Sequence, residues 1–182
     1  MSLYQTYRPK AWAELEGQDH IVKTISTQIS QATLSHAYML FGPRGVGKTT
    51  TARLIAKAAN CTGRTAQNTE PCGECLACTH IDEGSSPDII EIDAASHTKV
   101  EEVRETIIAS LPYPPIELRY KVFIIDEVHM LSNSSFNALL KSLEEPPERV
   151  IFILATTDIH KVPATIVSRC QRYGFKKVST ED

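Results

Sequence analysis

Long apolar runs are missing from this sequence, and Val150–Ala155 is typical of the longest. That is far short of the roughly 20 residues needed to cross a bilayer as a helix, so no membrane span is expected. The first residues, MSLYQTYRPKAW, lack an apolar segment, so no signal peptide is expected and the cytoplasm is the expected compartment. Excess positive charge is missing as well: the formal net charge of −3 excludes a globally basic nucleic-acid coat, though not a local basic patch. Repeats and low-complexity tracts are absent. With 182 residues, 42% hydrophobic and 23% charged, the chain is expected to bury one sizeable core and to carry at most a small appendage.

The most informative stretch is HAYMLFGPRGVGKTT, from His36 to Thr50. A strand-type run, His36–Phe41, turns through Gly42, Pro43, Arg44, Gly45, Val46, Gly47, Lys48 and Thr49, which together make a complete P-loop. Such glycines let the backbone curl its amides around a phosphate, and a helix starting near Lys48 adds the positive end of its dipole. Lys48 is then expected on the β and γ phosphates and the Thr49 hydroxyl on Mg²⁺, with Thr50 beside it. The plain alternative is a Gly-rich turn without chemistry. The strand before it and the helix pattern after it favour the nucleotide.

In chain order, Leu3–Glu16 is polar and aromatic, holds the single tryptophan, Trp12, and contains Pro9, which biases Arg8 towards extended backbone. It is read as a strap, either covering a core edge or walling the adenine. Gly17-Gln18-Asp19 opens a helix with Ile21, Val22, Ile25 and Ile29 at helical spacing. A second helix, Thr50–Asn60, turns Leu54, Ile55, Ala58 and Ala59 inward. Next come Cys61, Cys72, Cys75 and Cys78, four of the 5 cysteines. In a cytoplasmic chain they argue for a metal rather than disulfides, and four thiolates suit a closed, structural Zn²⁺ site. A redox CxxC, an iron–sulfur site and unliganded small core residues compete, and His80 is a possible substitute ligand. A module this small would depend on its metal to fold.

Asp88–Asp93 returns to strand type, His97–Ser110 to an amphipathic helix, and Pro112, Pro114 and Pro115 form a rigid connector. After Lys121, four apolar residues in a row, Val122–Ile125, precede two carboxylates, and this strand is expected to be buried on both faces, with its carboxyl end opening into a site. There Asp126 is expected to hold Mg²⁺ through its water shell, and Glu127 to act as general base on an attacking water. Helix Ser134–Leu143, strand Val150–Ala155, a short helix Val162–Val167 and a last strand Tyr173–Phe175 complete the pattern. Strand Val150–Ala155 ends in Thr156-Thr157-Asp158, where a hydroxyl suits either γ-phosphate sensing or water orientation, or else a helix cap.

The P-loop, Asp126-Glu127, Thr157 and Ser168-Arg169-Cys170, in this order, resemble the AAA+ clamp-loader ATPases. So do Tyr7-Arg8-Pro9, Gly17-Gln18, Ile92–Ser96 and Leu139–Pro147. The resemblance covers essentially the whole chain. It implies an α/β P-loop NTPase core of three layers with a central parallel sheet (residues 1–182, strap 1–19) and an inserted four-cysteine zinc module at about 61–80. It further implies sensor 1 at Thr157, and an arginine finger at Arg169 acting on a neighbouring subunit's nucleotide. Tyr7, Arg8, Pro9, Gly17 and Gln18 fall at the adenine. The cofactors implied are ATP, Mg²⁺ and structural Zn²⁺. The implied partners are other clamp-loader subunits, the sliding clamp and primer-template DNA, with Lys99 and Lys141 as DNA phosphate contacts or else ordinary solvated charges.

The helical lid and collar of that family have no counterpart before Asp182, so the chain is expected to be a monomeric fragment of a larger ATPase, with weak nucleotide binding and slow turnover. Two other readings stay open. Asp126–His129 also spells a DExH box, as in a helicase, and a non-catalytic zinc-containing assembly module would need no hydrolysis.

Overall fold

A computed structural model describes residues 8–96 and 100–178. Its centre is a five-stranded, wholly parallel sheet in the order β2-β3-β4-β1-β5. The strands are β1 (Ala37–Phe41), β2 (Ile89–Asp93), β3 (Lys121–Asp126), β4 (Val150–Thr156) and β5 (Gln171–Gly174). The helices are α1 (Asp19–Ser30), α2 (Lys48–Asn60), α3 (Leu76–Glu83), α4 (Val100–Ser110), α5 (Asn133–Glu144) and α6 (Ala164–Val167).

The central strands are apolar at nearly every position because both faces are covered. Along β3, Val122 and Ile124 face one core and Phe123 and Ile125 the other; along β4, Ile151 and Ile153 alternate with Phe152 and Leu154 in the same way. The first core is closed by Ile21, Ile25 and Ile29 of α1, Leu54 and Ile55 of α2, and Ile81 of α3. Ile107 of α4, Phe136, Leu139 and Leu143 of α5, and Ile166 of α6 close the second. Helices therefore lie on both faces of the sheet, the three-layer arrangement that a parallel sheet requires.

Register decides where chemistry can occur. Phe41 pairs with Thr156, and Asp93 with Asp126, so the carboxyl ends of four strands finish level at one edge of the sheet. Open parallel sheets bind their ligands there.

The proline-rich connector before β3 is pinned by two buried charged groups. Asp88, fully buried, accepts the amides of Ile116, Glu117 and Leu118, each at 2.8 Å. Lys121 donates to the carbonyls of Ser110 (2.8 Å) and Tyr113 (2.7 Å), closing the carboxyl end of α4. Replacing Asp88 by Ala strands three amides, and urea unfolding is expected to show a loss of about 2–3 kcal/mol.

Several expectations differ in detail. The strap includes a 3₁₀ turn, Trp12–Glu14, which buries Trp12 against the first core. The cysteine segment carries a helix of its own, α3, which sequence spacing did not suggest. The last strand begins at Gln171 and ends at Gly174, and the helix expected from Val162 is confined to α6, because Pro163 occupies its N-cap. Residues 97–99, including Lys99, lie outside the described residues. Among the described residues, no helix is long and apolar enough to cross a membrane.

Candidate nucleotide site and four-cysteine cluster

The P-loop leaves β1 at Gly42, where a Cβ would lie 2.7 Å from the carbonyl oxygen of Phe175, so only glycine fits beneath the chain that follows β5. Gly47 takes φ +94 as the N-cap of α2, and Gly45 takes φ +80. These left-handed residues curl the loop over the amino end of α2, an anion-binding shape. Lys48 is buried, and its ammonium donates across the bowl to the carbonyls of Gly42 (2.8 Å) and Pro43 (2.6 Å). Burial lowers its pKa, opposed by the nearby carboxylates of Glu127 and Asp126.

Thr49 donates its hydroxyl to Asp126 Oδ2 at 2.5 Å, which joins the P-loop helix to the end of β3. Asp126 Oδ1 accepts the amide of Glu127 at 2.9 Å. Glu127 itself has φ +49, uncommon for a residue with a side chain and a form of strain found most often at working sites. The turn carries its carboxylate back towards β4, where Thr157 donates to Oε2 at 3.1 Å. His129 Nδ1 lies 3.4 Å from the same oxygen and 2.8 Å from the hydroxyl of Thr156. Sequence reasoning treated His129 only as a letter of the DExH box. Its position near two carboxylates at a strand end was the available signal.

A cleft of about 590 Å³ opens over this edge, lined by the P-loop, Asp126 and Glu127, and on its other side by Arg8, Pro9, Leu15 and Val178. Arg8 and Pro9, expected at the adenine, thus form part of this cleft's wall. Gly17 and Gln18 support that wall without lining it. Gln18 is buried and clamps Lys176, donating to its carbonyl at 2.7 Å and accepting its amide at 3.2 Å, while Gly17 packs on Val178. Tyr7 lies outside the described residues. Glu14, Leu15 and Glu16 belong to the strap read either as a core cover or as the adenine wall, whereas Val178, which reaches the cleft from the segment after β5, left no local pattern in the sequence.

Arg169 is away from this cleft. Its guanidinium is held by the carbonyl of Thr165 and by Glu144, both at 2.7 Å, at the surface beside α5. Lys141 is exposed on α5.

The four cysteines converge. The sulfurs of Cys61, Cys72, Cys75 and Cys78 all lie within 4.8 Å of one another, and those of Cys75 and Cys61 are 3.9 Å apart. Sulfurs bound at about 2.3 Å to a tetrahedral metal are roughly 3.8 Å apart, so the spacing fits a shared ion and not a disulfide. Backbone amides already face the sulfurs: Cys72 N donates to Cys61 Sγ and Cys75 N to Cys72 Sγ, each at 3.3 Å. Burial pushes the Cys75 thiol up, but hydrogen bonds from the backbone of Cys78 and Thr62 and from neighbouring thiols outweigh it and bring it down to about 6. Backbone hydrogen bonds from Glu74 and Cys75 lower Cys72 as well. Gly63 has no side chain because a Cβ there would lie 2.8 Å from Cys72 Sγ. This cluster can bind a metal. His80 instead contacts Glu117, with Nδ1 3.0 Å from its carboxylate.

The sheet order, the P-loop on β1 and the carboxylates at the end of β3 define a P-loop NTPase core of the AAA+ kind. Solved structures share that fold. The Thermotoga maritima RuvB Holliday junction branch migration motor superposes with a TM-score of 0.62 at 20% identity, covering 96% of this chain and 50% of that one. A DNA polymerase III gamma subunit-related protein from the same organism gives 0.53 at 23% identity, covering 87% and 46%. The sequence model of the family described as "DNA polymerase III, delta subunit" matches residues 17–179, and the chain belongs to that family. Among its relatives are DNA polymerase III subunit tau of Bacillus subtilis, 53% identical over 99% of this chain and 31% of that protein, and the Escherichia coli tau subunit, 51% identical over 98% and 27%. A gamma subunit from Buchnera aphidicola is 51% identical over 98% of this chain and 49% of its own length. The chain thus spans between about a quarter and a half of these relatives.

Proposed function

We propose that this chain is the ATP-binding core of a clamp-loader ATPase subunit, part of a cytoplasmic assembly that uses ATP binding and hydrolysis to load a sliding clamp onto primed DNA. The observation that carries the reading is the contact between Thr49 and Asp126 at the foot of the P-loop, with Glu127 turned in beside it. A phosphate-gripping loop and a carboxylate pair from different parts of the chain meet at one strand edge.

On this reading the P-loop amides and Lys48 neutralise the β and γ phosphates, and Arg8 and Pro9 face the base. Thr49 and Asp126 are the residues that would hold Mg²⁺, which supplies charge neutralisation on the phosphates. Glu127 accepts the proton of the attacking water, and the Thr157 hydroxyl holds the carboxylate in line. Arg169, displayed at the surface away from its own cleft, serves a neighbouring subunit, with Glu144 keeping it extended until assembly. Four thiolates favour zinc as the ion of the cysteine cluster, in a structural role because all four positions are filled by protein. Other clamp-loader subunits, the clamp and primer-template DNA are the partners, with Lys141 and Lys99 as candidate phosphate contacts.

Titration with MgATP tests the core of this reading. Lys48→Ala is expected to weaken binding by at least about tenfold, the loss of one charge-assisted contact to phosphate. Equal affinity of the two proteins would favour a non-catalytic assembly module. The relatives named above are DNA polymerase III subunits, which favours the clamp-loader reading over the DExH helicase one.

A further inference from the structure

The cysteine module is tied to the nucleotide cleft by a residue that no motif contains. Glu70 stands two positions before Cys72, and its carboxylate accepts the amides of Trp12 (2.7 Å) and Ala13 (2.9 Å). These are the free N–H groups at the start of the 3₁₀ turn in the strap, so the carboxylate acts as a cap supplied by a distant part of the chain. The same turn delivers Leu15 into the cleft wall, where its Cδ1 would be 3.2 Å from a Cβ on Gly47 of the P-loop.

A second tie runs parallel to the first. The ammonium of Lys57, on the P-loop helix and almost fully buried, contacts both carboxylate oxygens of Asp82 at 3.0 Å and the carbonyl of Lys10 at 3.2 Å. Asp82 belongs to α3, the helix that also carries Cys78. The strap that walls the cleft is therefore fastened on one side by Glu70 of the loop entering the cysteine cluster and on the other by Lys57 of the P-loop helix, whose ammonium Asp82 of α3 holds in place. Among the described residues, the buried apolar anchors of this short strap are Trp12 and Leu15.

We infer that Glu70 is a positioning residue for the nucleotide: it holds the strap, and through it Leu15, Pro9 and Arg8, against the P-loop, and the cysteine module serves as the rigid mount for this clasp. The inference rests on the nucleotide reading above. Because binding linkage is reciprocal, metal at the cysteines and ATP at the P-loop should favour each other.

Trp12 provides a direct probe, since it is the single tryptophan and sits at the clasp. In the metal-loaded chain, Glu70→Ala is expected to retain its metal, to make Trp12 emission more readily quenched by acrylamide, and to raise the dissociation constant for MgATP about fivefold or more. Glu70→Gln keeps one oxygen able to accept an amide and should fall between wild type and Ala in both readouts. A Glu70→Ala protein that keeps its metal and matches wild type in quenching and ATP affinity overturns the inference. Should the Ala variant lose its metal, the Gln variant decides by the same two measurements. Absence of ATP binding in wild type would refute the nucleotide reading itself, and is distinguishable because the clasp then fails only after that reading has failed.

Discussion

Glu127→Gln is expected to bind MgATP within about twofold of wild type while hydrolysis falls by about 10²- to 10⁴-fold in the assembled subunit, the range supplied by a positioned general base. The substitution is nearly isosteric, so the left-handed turn at this position and the hydrogen bond from Thr157 can persist. What it removes is the capacity to accept a proton. A static contact would behave differently: if Glu127 served only to hold Thr157 or His129, the amide would substitute for it and turnover would survive. Single-turnover hydrolysis on the reassembled complex checks the prediction, and retained turnover would assign the base elsewhere. The rate must be measured in the complex, because Arg169 is held at the surface by Glu144 and does not line its own cleft, and the stabilising cation on the γ-phosphate is expected from a neighbour.

Removing the metal is expected to have a larger effect on the fold than any single substitution. Structural zinc contributes binding free energy on the order of 10 kcal/mol in small modules, and nearly all of it is folding free energy. The segment between α2 and β2 has little apolar material of its own: Ala77, Cys78 and Ile81 are its buried side chains on α3. Chelation should therefore melt α3, expose all four thiols to alkylation and lower helicity by circular dichroism, while the sheet persists. Purified protein with near zero metal equivalents, and cysteines that react freely in the folded state, would reject the site. Gly63 gives an independent check, because any side chain there collides with Cys72.

Much of this was visible before the structure. The P-loop, Asp126 and the four cysteines carry their chemistry in fixed spacing, and the unbroken apolar runs of β3 and β4 predict two covered faces. Strand order was not legible, because nothing local to β1 says that β4 will lie beside it and separate it from β3. The cleft wall was only half visible: Arg8 and Pro9 stood out through a family pattern, but Leu15 and Val178 acquire meaning only when the strap and the segment after β5 meet. Gln18 is expected, from the resemblance, in a segment flanking the adenine. Its burial against Lys176 reflects a buried amide's need for partners on both its oxygen and its nitrogen, which the backbone of residue 176 supplies. Glu70 could not have been found by motif at all, because its partners are backbone amides far away in sequence.

The sheet order also bears on how the chain is made. Ala37 finds its strand neighbours at Phe152 and, one residue on, Tyr38 at Gln171, so β1 emerges from the ribosome long before anything exists to pair with it. Its apolar edge must wait, exposed, through the synthesis of the whole cysteine segment and β3, which makes this interval the one in which the nascent protein is most prone to stick to its neighbours.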